Sequence, residues 1–322
     1  SGAVVERMRF NAYLAFISLW VILVYAPVAH WVWGGGFLAT MGALDFAGGA
    51  VVHVNAASAA LVAALVIGAR KDYGRHAILP HNVPFTMLGA GLLWFGWFGF
   101  NAGSALAAGS TATLAFANTL LAPAATLAAW TLIDLLRGGT VTAVGAATAI
   151  VVGLVVVTPA AGYISPLSAI IMGALGAVPS YFALIYRAKT KLDDSLDVVA
   201  AHGLGGATGA ILTGVFAESA WSGGPSGLIG GHPAQVLTQL ASVLIVLAYS
   251  GVATFLILKG LAFVMPLRID GRDEKLGLDV SDHGEEAYTH GDGAILVKPK
   301  VKPMSQGATD VDVVTLPTKI SL

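Results

Sequence analysis

The chain has no cysteine among its 322 residues. Disulfides and thiolate-based metal sites are therefore excluded outright. Charge is scarce as well: Asp, Glu, Lys and Arg make up 11% of the chain, against about 25% in an ordinary soluble domain. With 56% hydrophobic residues and a mean hydropathy of +0.79, it reads as an all-α polytopic membrane protein. Its core is buried by lipid as well as by itself. A signal peptide of the usual kind is missing, and so is an initiator Met. The opening segment, with Glu6, Arg7 and Arg9, has the character of a charged loop from the interior of a longer protein.

Eight segments are apolar over the roughly 20 residues that a spanning helix requires. They lie near 10–29, 46–68, 83–104, 111–136, 142–160, 165–187, 197–217 and 235–264. The intervening loops are marked by a further absence. Lys and Arg are missing from 30–45, 105–110, 161–164 and 218–234. The alternate segments hold Arg7 and Arg9, then Arg70, Lys71 and Arg75, then Arg137, then Arg187, Lys189 and Lys191. Lys259, Arg268, Arg272 and Lys275 close the last helix, and the tail holds the rest. Positive loops face the cytoplasm, so both ends are expected inside, with the chain in the cell inner (plasma) membrane. The expected division is a transmembrane domain over 1–268 and a cytoplasmic tail over 269–322. Residues 277–288 are expected to order against the cytoplasmic face, and the sequence beyond about 288 to be disordered.

Two histidines stand inside apolar helices, each eight residues after an aspartate: Asp45…His53 and Asp194…His202. An ionisable ring in such sequence is expensive and points to function. Two in matching contexts suggest an internal repeat with a site between its halves. The second and seventh helices run in opposite senses through the membrane. Eight helical residues cover about 12 Å, so each ring lies about 12 Å deep from its own side of a core about 30 Å thick, and the two can touch. Asp45 and Asp194 would then cap their helices. Small residues follow each histidine, at Ala56, Ala57 and Ala60 and at Gly205, Gly206 and Gly209, and allow close packing. The other six histidines (30, 76, 81, 232, 283 and 290) fall in loops, helix ends or the tail and are given no role.

A dry pair of neutral imidazoles can share one N–H···N hydrogen bond and keep one donor and one acceptor free. That suits a small neutral solute, or a proton relay. Two imidazoles without a third ligand make a weak zinc site. Neither a cofactor nor a nucleic-acid partner is expected. Aromatic residues crowd the stretch WFGWFGFNAGSA at 94–105 and the stretch HWVWGGG at 30–36. An aromatic face attracts a cation, so Trp33 and Ser104, both near the outer ends of their helices, suggest an outer cation site. Phe100, deeper on the same helix as Ser104, would seal a pore below it. Trp31, Trp94 and Phe98 read as the aromatic belt of the membrane interface.

The segments AHWVWGGG, GALDFAGGAVVHVNAA, PHNVPFTMLGAGLLWFGWFGFNAGSA, DDSLDVVAAHGLGGATG and GLDVSDHGEEAY, in that order from about residue 6 to 288, resemble the ammonium transporters of the Amt/Mep/Rh superfamily, and the bacterial branch in particular. The resemblance implies an eleven-helix inverted-repeat fold, of which the eight helices here match the fourth to the eleventh. It implies a homotrimer with one pore per protomer, and ammonium or ammonia as substrate. Trp33 and Ser104 match the recruitment site, Phe100 the inner phenylalanine of the pore gate, and Trp97 a pore-lining tryptophan. His53 and His202 match the paired pore histidines, and Asp45 a structural acidic residue. The cytoplasmic face matches the docking surface for PII-type signal proteins. The outer phenylalanine of the gate has no counterpart in the chain, which reads as a fragment. Two other readings remain: a proton-coupled transporter of another small solute, and an ammonium sensor.

Overall fold

The computed structural model describes residues 1–75 and 79–288. Ser1–Glu274 form one compact unit, and a second begins at Lys275. Eight long helices occur among the described residues of the first unit. They are α1 (Phe10–Thr40), α2 (Gly49–Ile67), α3 (Val83–Gly103), α4 (Ser110–Leu136), α5 (Ala143–Val157), α6 (Pro166–Arg187), α7 (Val199–Phe216) and α8 (Ala234–Val264). Seven are long and apolar enough to cross a membrane. The exception is α5, with 15 residues. The segment expected at 142–160 thus forms a shorter helix. Protein rather than lipid surrounds its C-terminal half: Val152 and Leu154 through Val157 have no exposed surface.

Local chemistry moves two other boundaries inward. Gly48 has φ +121°, a conformation that favours glycine, so α2 begins at Gly49 and not near 46. Asp197 sits at φ +56°, and α7 begins at Val199. Beyond position 29, α1 continues to Thr40 through a bend at Gly34–Gly36, where Gly35 has φ +77°.

The helices α4, α5 and α6 form the largest core cluster. Their backbones approach where side chains are smallest. A Cβ at Gly153 would meet Thr126 Oγ1 at 2.6 Å, and one at Gly176 would meet Val156 Cγ2 at 2.5 Å. Thr126 uses that proximity to donate to Gly173 O at 2.7 Å. Interhelical polar contacts between small residues are what hold helices together when lipid is as apolar as the packing surface. The most exposed span is α3, where only Ala90 and Asn101 are buried. In the second unit, the Asp279 carboxylate accepts from Val280 N and Ala287 N, closing a turn that ends at Gly284 with φ +75°. His76, His290 and the tail beyond 288, expected to lack structure, lie outside the described residues.

The opening segment is more than a charged loop. Arg7 is wholly buried. Its guanidinium donates to Gly68 O at 2.8 Å, Ala3 O at 2.8 Å, Asp193 O at 2.5 Å and Ser195 Oγ at 2.7 Å. Arg70 grips both Asp193 carboxylate oxygens at 2.8 Å. The segment is thereby pinned to the end of α2 and to the approach to α7. Burial acts to raise the Asp193 carboxyl, but the hydrogen bonds and charge of Arg70, with Arg7 beside it, outweigh burial and hold it below its ordinary range. Its contribution to stability is therefore present above the ordinary carboxylate value and is lost as pH falls through the lowered one. Asp193→Asn removes the buried countercharge 3.9 Å from Arg7 and the charged grip of Arg70, and is expected to cost about 3–5 kcal/mol. Thermal unfolding in detergent, followed by circular dichroism, measures the loss.

Candidate functional site

The histidine-bearing helices α2 and α7 meet through their N-terminal halves. A Cβ at Gly206 would lie 2.9 Å from His53 Cβ and 3.1 Å from Gly49 O, and one at Gly203 would lie 3.1 Å from Ala57 Cβ. Residue numbers rise along one helix as they fall along the other, so the pair is antiparallel. Each histidine lies in a π-helical turn that opens its helix, Gly49–Val54 for His53 and Val199–Leu204 for His202. This corrects the simple depth reckoning. Fewer than eight helical residues separate each aspartate from its ring, because the helices start at Gly49 and Val199. The residues between aspartate and helix form a capping turn instead.

Those turns are held by the aspartates. Asp45 Oδ1 accepts from Gly48 N and Gly49 N, and Oδ2 from Ala50 N and Val51 N, at 2.5–3.0 Å. One carboxylate thus satisfies four amides that a helix start leaves open. Burial pushes the Asp45 carboxyl above its ordinary range, while these amides act the other way. Asp194 Oδ2 accepts from Val199 N at 2.7 Å. Burial likewise pushes Asp194 upward, and it takes the nearby Asp197 up to about 6 against the pull of Arg187 at 2.6 Å.

The rings of His53 and His202 lie 5.2 Å apart, with Nδ1 to Nδ1 at 3.2 Å. A hydrogen bond there needs one Nδ1–H and one bare Nδ1, so at least one ring is neutral. Trp97 stacks on His53 at 5.4 Å with 22° between planes. Phe100 lies 6.3 Å from His53 and meets Trp97 edge-on at 5.6 Å. Four of the expected site residues therefore form one cluster of rings. Trp33 and Ser104 make their hydrogen bonds elsewhere. Trp33 Nε1 donates to Asp45 O at 2.7 Å, and the residue is 45% exposed. Ser104 Oγ donates to Phe100 O at 2.8 Å, which keeps its lone pairs free to accept. His53 Nε2 is buried without a protein partner, and a passing hydrogen-bonding solute would satisfy it.

Two contributors escaped sequence reasoning. Gln239 on α8 accepts from Leu44 N and donates to Leu44 O, both at 2.7 Å, and also donates to Ala210 O at 3.0 Å. It fixes the chain just ahead of Asp45. A buried glutamine within an apolar run was the available signal. The second, Thr158, accepts from Trp97 Nε1 at 2.9 Å. Gly206 offers a direct test of the seam. Gly206→Ala crowds His53 and the Gly49 carbonyl, and overpacking of this kind costs about 1–3 kcal/mol. Gly96→Ala on α3, where a Cβ meets nothing within 4 Å, is expected to be neutral or stabilising. Paired thermal melts in detergent check both.

A family profile described as the Ammonium Transporter Family matches residues 1–288. An ammonium transporter of Aquifex aeolicus is 50% identical over 289 residues, covering 89% of this chain and 67% of that protein. The crystal structure of Saccharomyces cerevisiae Mep2 superposes with a TM-score of 0.77 at 35% identity, covering 82% of this chain and 61% of Mep2. A structure titled Sensor Amt Protein superposes at 0.80 with 31% identity, covering 87% of this chain and 72% of that one. The chain thus spans about three fifths to seven tenths of the length of these relatives. It is an all-α, multi-pass membrane protein, and it belongs to the ammonium transporter family, whose members are transporters or channels and not enzymes.

Proposed function

We propose that this chain carries the central part of a path for ammonium and ammonia, and that His53 and His202 form its midpoint. The observation that supports this most directly is the imidazole pair, Nδ1 to Nδ1 at 3.2 Å, walled by Trp97 and Phe100. An ammonium ion would first be held over the exposed face of Trp33 by cation–π attraction, and would donate a hydrogen bond to Ser104 Oγ. Full dehydration of an ion among apolar rings costs far more than such contacts return. The ion therefore releases its proton before or at Phe100, and neutral ammonia passes the histidines. Regaining a proton on the far side completes the passage. The released proton either returns to the side of entry or crosses separately, and the two cases differ in whether current flows.

On this reading Trp33 and Ser104 face outward. The basic face with Arg70 and Arg187 is cytoplasmic, three protomers assemble, and a PII-type protein docks on the basic face. The alternation of basic and uncharged loops supports the orientation. Because the chain has no cysteine, single cysteines placed at Thr40, exposed at the end of α1, and at Lys191 report it cleanly. An impermeant thiol reagent added outside intact cells is expected to label the first and spare the second.

The transport reading is tested by uptake and current measurements in liposomes. The protein is expected to take up methylammonium and ammonium. His53→Asp puts a carboxylate where the pair sits, and it is expected to lower selectivity against potassium by more than about tenfold. Unchanged uptake and unchanged ion rejection in this variant would sink the mechanism. A sensing role has its own support, the likeness to the structure titled Sensor Amt Protein. It predicts ammonium binding at the same site without net flux in the same liposomes.

A further inference from the structure

We propose that Thr158, at the C-terminal end of α5, is a positioning residue that holds the Trp97 indole against His53. The inference rests on the transport reading, and it follows from how little of α3 is buried. Of that helix only Ala90 and Asn101 are buried, and much of its surface faces away from the protein: Phe95 is 78% exposed. Helix packing alone therefore does little to fix the plane of a ring upon α3, and the hydrogen bonds to Thr119 from Trp94 Nε1 and Asn101 Nδ2, both 3.0 Å, hold the helix rather than the Trp97 ring. Trp97 nevertheless lies nearly parallel to His53, 22° between planes. A ring held only by stacking would lose little energy by tilting or sliding, because such contacts are broad in geometry and small in magnitude. The directional restraint is the hydrogen bond from Trp97 Nε1 to Thr158 Oγ1, 2.9 Å.

Thr158 is built for that role. It has no exposed surface. Its own hydroxyl proton is committed to Leu154 O at 2.7 Å, so the oxygen presents a lone pair rather than a proton to the indole. The turn that follows is anchored on three sides. Phe46 N donates to Pro159 O at 3.0 Å, Asn118 Nδ2 donates to Ala161 O and Ile164 O, and Glu218 N donates to Tyr163 O at 2.9 Å. Phe46 directly follows Asp45, whose carboxylate sets the start of the helix bearing His53. One buried turn thus registers both partners of the stack: His53 through the backbone at Phe46, and Trp97 through the Thr158 hydroxyl. Trp94, one turn earlier on α3, bonds instead to the backbone carbonyl of Thr119, so among these two indoles only Trp97 has an anchor that a side-chain substitution can remove.

The test is a double-mutant cycle on the full chain in liposomes, using Thr158→Val, Thr158→Ser, Trp97→Phe and the double variant T158V/W97F. Thr158→Val keeps the shape and strands a buried indole N–H, and it is expected to lower maximal methylammonium uptake about tenfold, with KM little changed because the recruiting residues are untouched. Thr158→Ser restores both the acceptor and the rate. In the Trp97→Phe background, Thr158→Val has no further effect, since the hydroxyl acts through the indole it no longer meets. The 15N–1H resonance of the Trp97 indole, assigned by its loss in Trp97→Phe, shifts in Thr158→Val and returns in Thr158→Ser. An unshifted indole resonance, an additive double variant, or a serine variant as impaired as the valine one overturns the proposal. Should Thr158→Val not fold, Thr158→Ala in the same cycle decides it. A wild-type protein without uptake would remove the transport reading, while the indole resonance still decides the contact.

Discussion

The approach of two backbones at Gly206 governs the centre of this molecule. Helices bearing ordinary side chains at their crossing stand 8–10 Å apart, and imidazoles on their flanks would then be separated by other atoms. Here the absence of a Cβ at Gly206, with His53 Cβ and Gly49 O within about 3 Å of where it would lie, lets the N-terminal halves of α2 and α7 overlap. The histidine contact, the stack of Trp97 and the edge of Phe100 all lie within reach of that overlap. The cluster of rings is thus a consequence of a missing methyl group as much as of the rings themselves.

Such proximity would be ruinous if it left backbone polar groups unpaired in a water-poor interior. The chain meets this with a few side chains that each serve several amides or carbonyls. Asp45 takes four N–H groups, Gln239 ties both ends of the Leu44 peptide, and Asn118 spans Ala161 O and Ile164 O. At the basic face Arg7 does the same for carbonyls. These residues are ordinary polar types that become structural because each alternative partner has been excluded.

Much of the fold was legible because spanning helices need long apolar runs and because basic residues cluster in alternate loops. The eight segments appear where hydropathy places them, and the two Asp–His spacings mark helices that do come together. What was not legible has physical reasons. The length of α5 depends on being surrounded by protein, which hydropathy cannot distinguish from lipid. The starts of α2 and α7 depend on Gly48 and Asp197 taking positive φ, which no periodicity records. Arg7 reads as an exposed loop charge until its partners, nearly two hundred residues away at Asp193 and Ser195, are known. Thr158 carries no signal at all in the sequence, since a threonine at a helix end is usually only a cap.

Both histidines lie in π-helical turns, each holding one residue more than the α-turn it replaces. The surplus residue resets the angular phase of everything that follows it, by about 100° on an α-helical wheel. Faces counted through either histidine at a constant period are therefore assigned wrongly on one side of it. The same phase reset makes these two turns intolerant of length change: losing a single residue from either would rewind it as α-helix and swing its imidazole out of the seam, though no residue touching the ring had been altered.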